Sequence, residues 1–71
     1  MIEKFSLGEH EHIALCDLLK IVGLVNSGGH AKIVIAEGEV TRNGDVETRK
    51  TAKIRAGEVI RLGEAEIHVE K

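Results

Sequence analysis

Apolar residues fall at Leu15, Leu18, Leu19 and Val22, the i, i+3, i+4, i+7 spacing that gathers side chains on one side of an α-helix. Gly23 follows where a left-handed C-terminal cap is expected. The pattern predicts a helix over about His12 to Val22. A second stripe, Ala31, Val34 and Ile35, stops at Gly38, another cap position. Ser27 stands ahead of it as the expected N-cap, since its hydroxyl can accept from a free first-turn amide. Only Leu24 to Asn26 separate the two elements, and so short a connection predicts a packed helical hairpin.

From Glu39 the period changes to two. Asn43-Gly44 between β-prone stretches signals a hairpin. A two-residue loop would set Val40 and Val46 on opposite faces. A three-residue loop, Asn43-Gly44-Asp45, would pair Arg42 with Val46 and bring both valines to one face. The second register is preferred, with Gly44 or a neighbour at positive φ. Ala56-Gly57 then reads as a turn, Glu58 to Leu62 as a strand and Gly63-Glu64 as another turn. Ala65, Ile67 and Val69 alternate with Glu66, His68 and Glu70, the mark of a half-buried last strand. Ile2 to Phe5 can add a short strand at the start. With no repeat, low-complexity tract or linker, residues 1–71 are expected to form one α+β domain, a helical hairpin packed on a small antiparallel β-sheet. Leu15, Leu18, Leu19, Val34, Ile35 and Ile67 are its expected core.

Composition narrows what such a domain can do. A chain of 71 residues has little stability to spare and little room for a deep cleft beside its core. Phe5 is the only aromatic residue, and Trp, Tyr and Pro are absent. Modules that read single-stranded nucleic acid stack bases on aromatic side chains, so a nucleic-acid partner here would be folded or double-stranded. Cys16 is the only cysteine, which excludes an internal disulfide and a multi-cysteine zinc site. No apolar run approaches a membrane span, and Met1-Ile2-Glu3-Lys4 lacks the order of a signal peptide. A reduced, cytoplasmic monomer is expected.

The net charge is −2, which alone argues against nucleic acid. Its distribution points the other way. Residues 1–31 hold two bases and four acids, residues 32–61 seven and five, and residues 62–71 one and three. Arg49-Lys50-Thr51-Ala52-Lys53-Ile54-Arg55 carries four cations and no acid. Exposed charges further apart than about 8–10 Å are largely screened at physiological salt, so a local cationic stretch can still grip phosphates. The plain alternative is a solvated charged loop.

Catalytic readings find little support. His10, His12 and Cys16 could be imagined around a metal, but a polar lead-in to the first helix accounts for them. Cys16 lies beside the apolar stripe, where a small half-buried residue is ordinary. The acids form no recognisable acid–base pair, and neither a catalytic residue, a metal nor a cofactor is expected. Ser27-Gly28-Gly29-His30-Ala31-Lys32 says more. Glycines in a first helical turn let an anion approach unpaired amides that the helix dipole favours, and Lys32 lies one turn on. The spacing is not that of a nucleotide-binding P-loop.

Taken in order, Leu15-x-x-Leu18-Leu19-x-x-x-Gly23-Leu24, Ser27-x-x-x-Ala31-Lys32-x-x-Ile35-x-x-Gly38-x-Val40, Asn43-Gly44 and Gly57-Glu58-x-Ile60 resemble the RNA-binding domain named after small-subunit ribosomal protein S4. The two helices and following hairpin of that domain are called the αL motif. The resemblance covers roughly Phe5 to Leu62. It is closest to the compact bacterial form (the YbcJ type), through Ser27 to Lys32 and Glu47-Thr48-Arg49. It implies binding of structured, ribosome-related RNA. The start of the second helix with Lys32, Arg42 on the hairpin and the basic run make Ser27, Gly28, Gly29, Lys32, Arg42, Arg49, Lys50, Lys53 and Arg55 the expected contacts. Larger members of the family commonly have Arg directly after the Ser, where this chain has Gly28. They often have an aliphatic residue before Asn-Gly, where this chain has Arg42. The first departure removes a usual RNA contact and leaves more to Lys32, Arg42 and the 49–55 run. Rival expectations are a protein-interaction adaptor and a guide subunit for an RNA-modifying enzyme.

Overall fold

The chain runs β1 (Ile2–Ser6), β2 (Ile13–Ala14), α1 (Leu15–Ile21), α2 (Gly28–Ala36), β3 (Val40–Arg42), β4 (Asp45–Val46), β5 (Lys53–Ile54), β6 (Val59–Leu62) and β7 (Ala65–Glu70) in a computed structural model describing residues 1–71. Two helices pack on a five-stranded sheet of order β1-β7-β6-β3-β4, beside a two-stranded ribbon of β2 and β5. The fold class is α+β, as expected.

Both helices end as the glycine positions foretell, with Gly23 at φ 82° and Gly38 at φ 78°. Ser27 caps α2, its hydroxyl accepting from the His30 amide at 3.1 Å. The first helix starts later than the apolar stripe predicts. Ile13 and Ala14 are extended and pair with Ile54 and Lys53. The amides of Leu15 and Cys16 then donate to the carbonyls of Ala52 (3.0 Å) and Lys50 (2.9 Å). Ala14 supplies no side-chain cap, so the neighbouring segment satisfies first-turn donors of α1 that would otherwise lack partners.

Strand pairing corrects two expectations. The sheet is mixed rather than wholly antiparallel, because β1 lies parallel to β7, with Ile2 opposite Glu66 and Ser6 opposite Glu70. A parallel pair needs no tight turn between its strands, so no local sequence signal announces it. The β3–β4 hairpin has the two-residue loop. Thr41 pairs with Val46 and Arg42 with Asp45, leaving Asn43 (φ 52°) and Gly44 (φ 92°) in the turn. Both central residues at positive φ match the twist of the flanking strands. Val40 is therefore fully buried while Val46 is 61% exposed. Glu47, whose amide donates to the Val40 carbonyl at 3.0 Å, takes the inward place instead.

The core joins Leu15, Leu18 and Leu19 of α1 with Ala31 and Ile35 of α2, Val40, Ile60 and Ile67 of the sheet, and Ile54 of β5. Val34 is only half-buried at its margin, because α2 turns Ala31 and Ile35 inward. Ile54 sits in the middle of the basic run and is fully buried. It pins that run to the core, while Lys53 and Arg55 on either side stay exposed.

Candidate nucleic-acid interface

The segment from Glu47 to Glu58 is built on two carboxylates. Glu47 is the only buried charged side chain. Arg49 grips it with two parallel bonds, Nε to Oε2 at 3.0 Å and Nη2 to Oε1 at 3.1 Å, and the Arg49 amide adds a third at 3.2 Å. Arg42 reaches the same carboxylate through Nη1 at 3.3 Å. On its other side Arg42 makes a fork with Glu58, through Nε and through Nη2 at 3.1 Å. It also donates from Nη2 to the Lys53 carbonyl at 2.9 Å. Glu58 in turn accepts from the Arg55 amide at 2.6 Å and from Asn43 Nδ2 at 3.1 Å. Asn43 Oδ1 accepts the Val59 amide at 2.9 Å, so the turn residue ties the hairpin to β6. No buried side-chain nitrogen or oxygen is left without a partner.

These contacts shift the titrations in the direction that charge-assisted hydrogen bonds require. The two bonds from Arg49 hold Glu47 down from 4.5 to about 2, against the opposing effect of burial. Arg42 holds Glu58 below its ordinary range. The guanidinium of Arg42 is raised by its bond to Glu58, and that of Arg49 by its bond to Glu47. A carboxylate depressed in the folded state stabilises it fully above the unfolded pKa and less as pH falls. Stability should therefore hold from neutrality to about pH 4.5 and then decline toward pH 2, with Glu47 contributing at most about 3 kcal/mol. Urea midpoints between pH 7 and pH 2.5 check this, and Glu47→Gln should flatten the acid limb.

Above this frame lies an open cleft of about 350 Å³ lined by Arg42, Arg49, Thr51, Ala52, Lys53 and Arg55. Four of the predicted cations thus surround one depression. They are not equivalent. The Arg42 side chain is 25% exposed and committed to Glu47 and Glu58, whereas that of Arg49 is 73% exposed. Lys50 is exposed on the adjoining turn. Arg42 faces two acids and ties the frame together while it also lines the cleft. Glu47, Glu58 and Asn43 are the residues that sequence reasoning missed. The acids within a few positions of the basic run were the available signal.

Ser27, Gly28, Gly29 and Lys32 do not line that cleft. They form the exposed first turns of α2. The amides of Gly28 and Gly29 have no acceptor in the chain. No three His, Cys, Asp or Glu side chains converge as metal ligands. His10 and His12 instead line a separate open cleft with Phe5, Leu7, Ile13 and Ile21. No helix is long and apolar enough to cross a membrane.

A helical hairpin followed by this β-hairpin, with basic residues on the segment after it, is the arrangement of an S4 domain. Residues 5–70 match the family model described as the S4 domain, and the chain belongs to that family. It is similar to the "Putative RNA-binding protein YbcJ" of Escherichia coli (strain K12), 59% identical over 56 residues, covering 79% of this chain and 80% of the relative. The "Probable ribosome maturation protein RlbA" of Bacillus subtilis (strain 168) is 35% identical over 52 residues, 73% of either chain. The solution structure of E. coli YbcJ superposes with a TM-score of 0.75 at 50% identity, covering 96% of this chain and 86% of that one. That structure is described as revealing an αL motif involved in RNA-binding.

Proposed function

We propose that this chain binds folded RNA, ribosomal RNA or a ribosomal particle in particular, as a monomer without catalysis of its own. The carrying observation is the cationic cleft. Arg42 and Arg49 are offset by Glu47 and Glu58, while Lys50, Lys53 and Arg55 make no ion pair at all. Their charge is available to phosphates, and the backbone beneath them is held by Ile54 and by the bonds to α1. Lys32 and the open amides of Gly28 and Gly29, which the dipole of α2 makes receptive to anions, would take a further phosphate of the same RNA. Phosphate contacts fix position and carry little sequence information, so shape decides the choice of RNA. The names of the relatives from E. coli and B. subtilis support RNA and the ribosome respectively.

The test compares a folded ribosomal RNA hairpin with an unstructured oligomer of equal length by fluorescence anisotropy. The hairpin should bind at least about tenfold tighter, because no aromatic platform rewards a flexible strand. Equal or tighter binding of the unstructured strand would overturn recognition by shape. Binding to neither at low salt would favour a protein adaptor.

A further inference from the structure

Glu47 poses a problem for a phosphate-binding surface. A carboxylate under a cluster of cations repels the ligand and, on Coulomb's law alone, weakens the site. Yet it is the most deeply buried charge in the molecule and its two oxygens receive four hydrogen bonds, three of them from Arg49. The geometry at Arg49 resolves the conflict. A guanidinium has five N–H donors in one plane. Glu47 occupies the Nε–H and one hydrogen of Nη2, while Nη1 and the other hydrogen of Nη2 have no partner in the chain. The Arg49 side chain is 73% exposed and lines the cleft.

We infer that Glu47 is a positioning residue for RNA: it grips one edge of Arg49 so that the opposite edge is presented, already oriented, to a phosphate. This rests on the RNA-binding reading and deepens it. Arginine loses much rotamer freedom when it closes on an anion. Here that cost is met when the protein folds rather than when RNA binds, the ordinary benefit of preorganisation. Arg42 completes the device from below by steadying Glu47 through Nη1. Glu58 does the same for the far side of the cleft, accepting the Arg55 amide while it holds Arg42.

Simple electrostatics and positioning predict opposite signs for one substitution. Glu47→Gln raises the net charge from −2 to −1, so a charge-only site should bind RNA more tightly. Positioning requires weaker binding, by about five- to tenfold. The slope of log affinity against log salt should also shrink by somewhat under one unit. Arg49→Lys keeps the charge at an exposed position but cannot span carboxylate and phosphate together. It should lose as much as Glu47→Gln, and the double variant should lose little more. In the free protein, the Arg49 Nε–Hε resonance should be resolved and shifted in wild type, and should move to the position of a solvated arginine in Glu47→Gln. Circular dichroism and a urea midpoint establish that each variant is folded; should Glu47→Gln not fold, Arg49→Lys decides. Unchanged or tighter RNA binding by folded Glu47→Gln, wild-type binding by Arg49→Lys, or an Arg49 resonance indifferent to Glu47 would each overturn the inference. Failure of wild type itself to bind any RNA would instead bring down the function on which it rests.

Discussion

Leu19→Ala should cost the fold about 3 kcal/mol, within the range of about 2–5 kcal/mol for emptying a fully enclosed leucine site. Leu19 has no exposed surface and lies in the cluster that joins both helices to the sheet. Domains of this size have total stabilities of roughly 4–10 kcal/mol, so the variant should be close to unfolding at physiological temperature. Ile33, on the same helical hairpin but 56% exposed, provides the contrast, since Ile33→Ala should change stability by less than about 0.5 kcal/mol. Urea denaturation of the two variants at pH 7 measures both. A loss below about 1 kcal/mol at Leu19 would mean that the helical hairpin does not rest on this core.

That core is the part of the molecule most legible in the sequence. The stripe from Leu15 to Leu19 and the alternation of Ala65, Ile67 and Val69 each reflect a face turned inward, and local periodicity records such faces directly. Ser27 is legible as a cap because capping is settled within three residues. Features that depend on distant partners are not legible. The start of α1 is displaced by pairing with Lys53 and Ile54, some forty residues away. The hairpin register departs from the alternation of its two valines because a charged residue, Glu47, takes the second inward place. Glu47 can do so only because Arg42 and Arg49 satisfy it, and no local pattern shows that two arginines will converge there.

The same division runs through the candidate site. The concentration of cations at 49–55 is visible in the sequence, and the cleft gathers most of them. The role of Arg42 is not visible there, because its main partner, Glu58, lies 16 residues away. A cation in a basic region is not thereby a ligand for phosphate. Its internal partners decide.

Replacing Arg49, Lys50, Lys53 and Arg55 together by Ala should reduce affinity for folded RNA by a hundredfold or more at physiological salt, on the order expected when several phosphate contacts vanish at once. The side chains are exposed and Ile54 remains to pin the segment, so the variant should stay folded, although freeing Glu47 from Arg49 will lower its stability. The change also takes the net charge from −2 to −6, and a more negative protein repels RNA whatever its surface. A second variant separates the two effects. Replacing Lys4, Lys20, Arg61 and Lys71 by Ala also gives −6, but removes cations that do not line the cleft.

A salt titration of wild type and these two charge-matched variants on one ribosomal RNA hairpin therefore tests the central claim, that RNA is held at this cleft. Log affinity of wild type should fall linearly with log salt, and the slope should shrink by roughly three units in the cleft variant, somewhat under one for each phosphate no longer neutralised. The other variant should keep nearly the wild-type slope and lose only a fewfold in affinity. Equal losses of affinity and slope in the two variants would contradict the account, because binding would then follow net charge and not the cleft that Glu47, Arg42 and Glu58 hold in place.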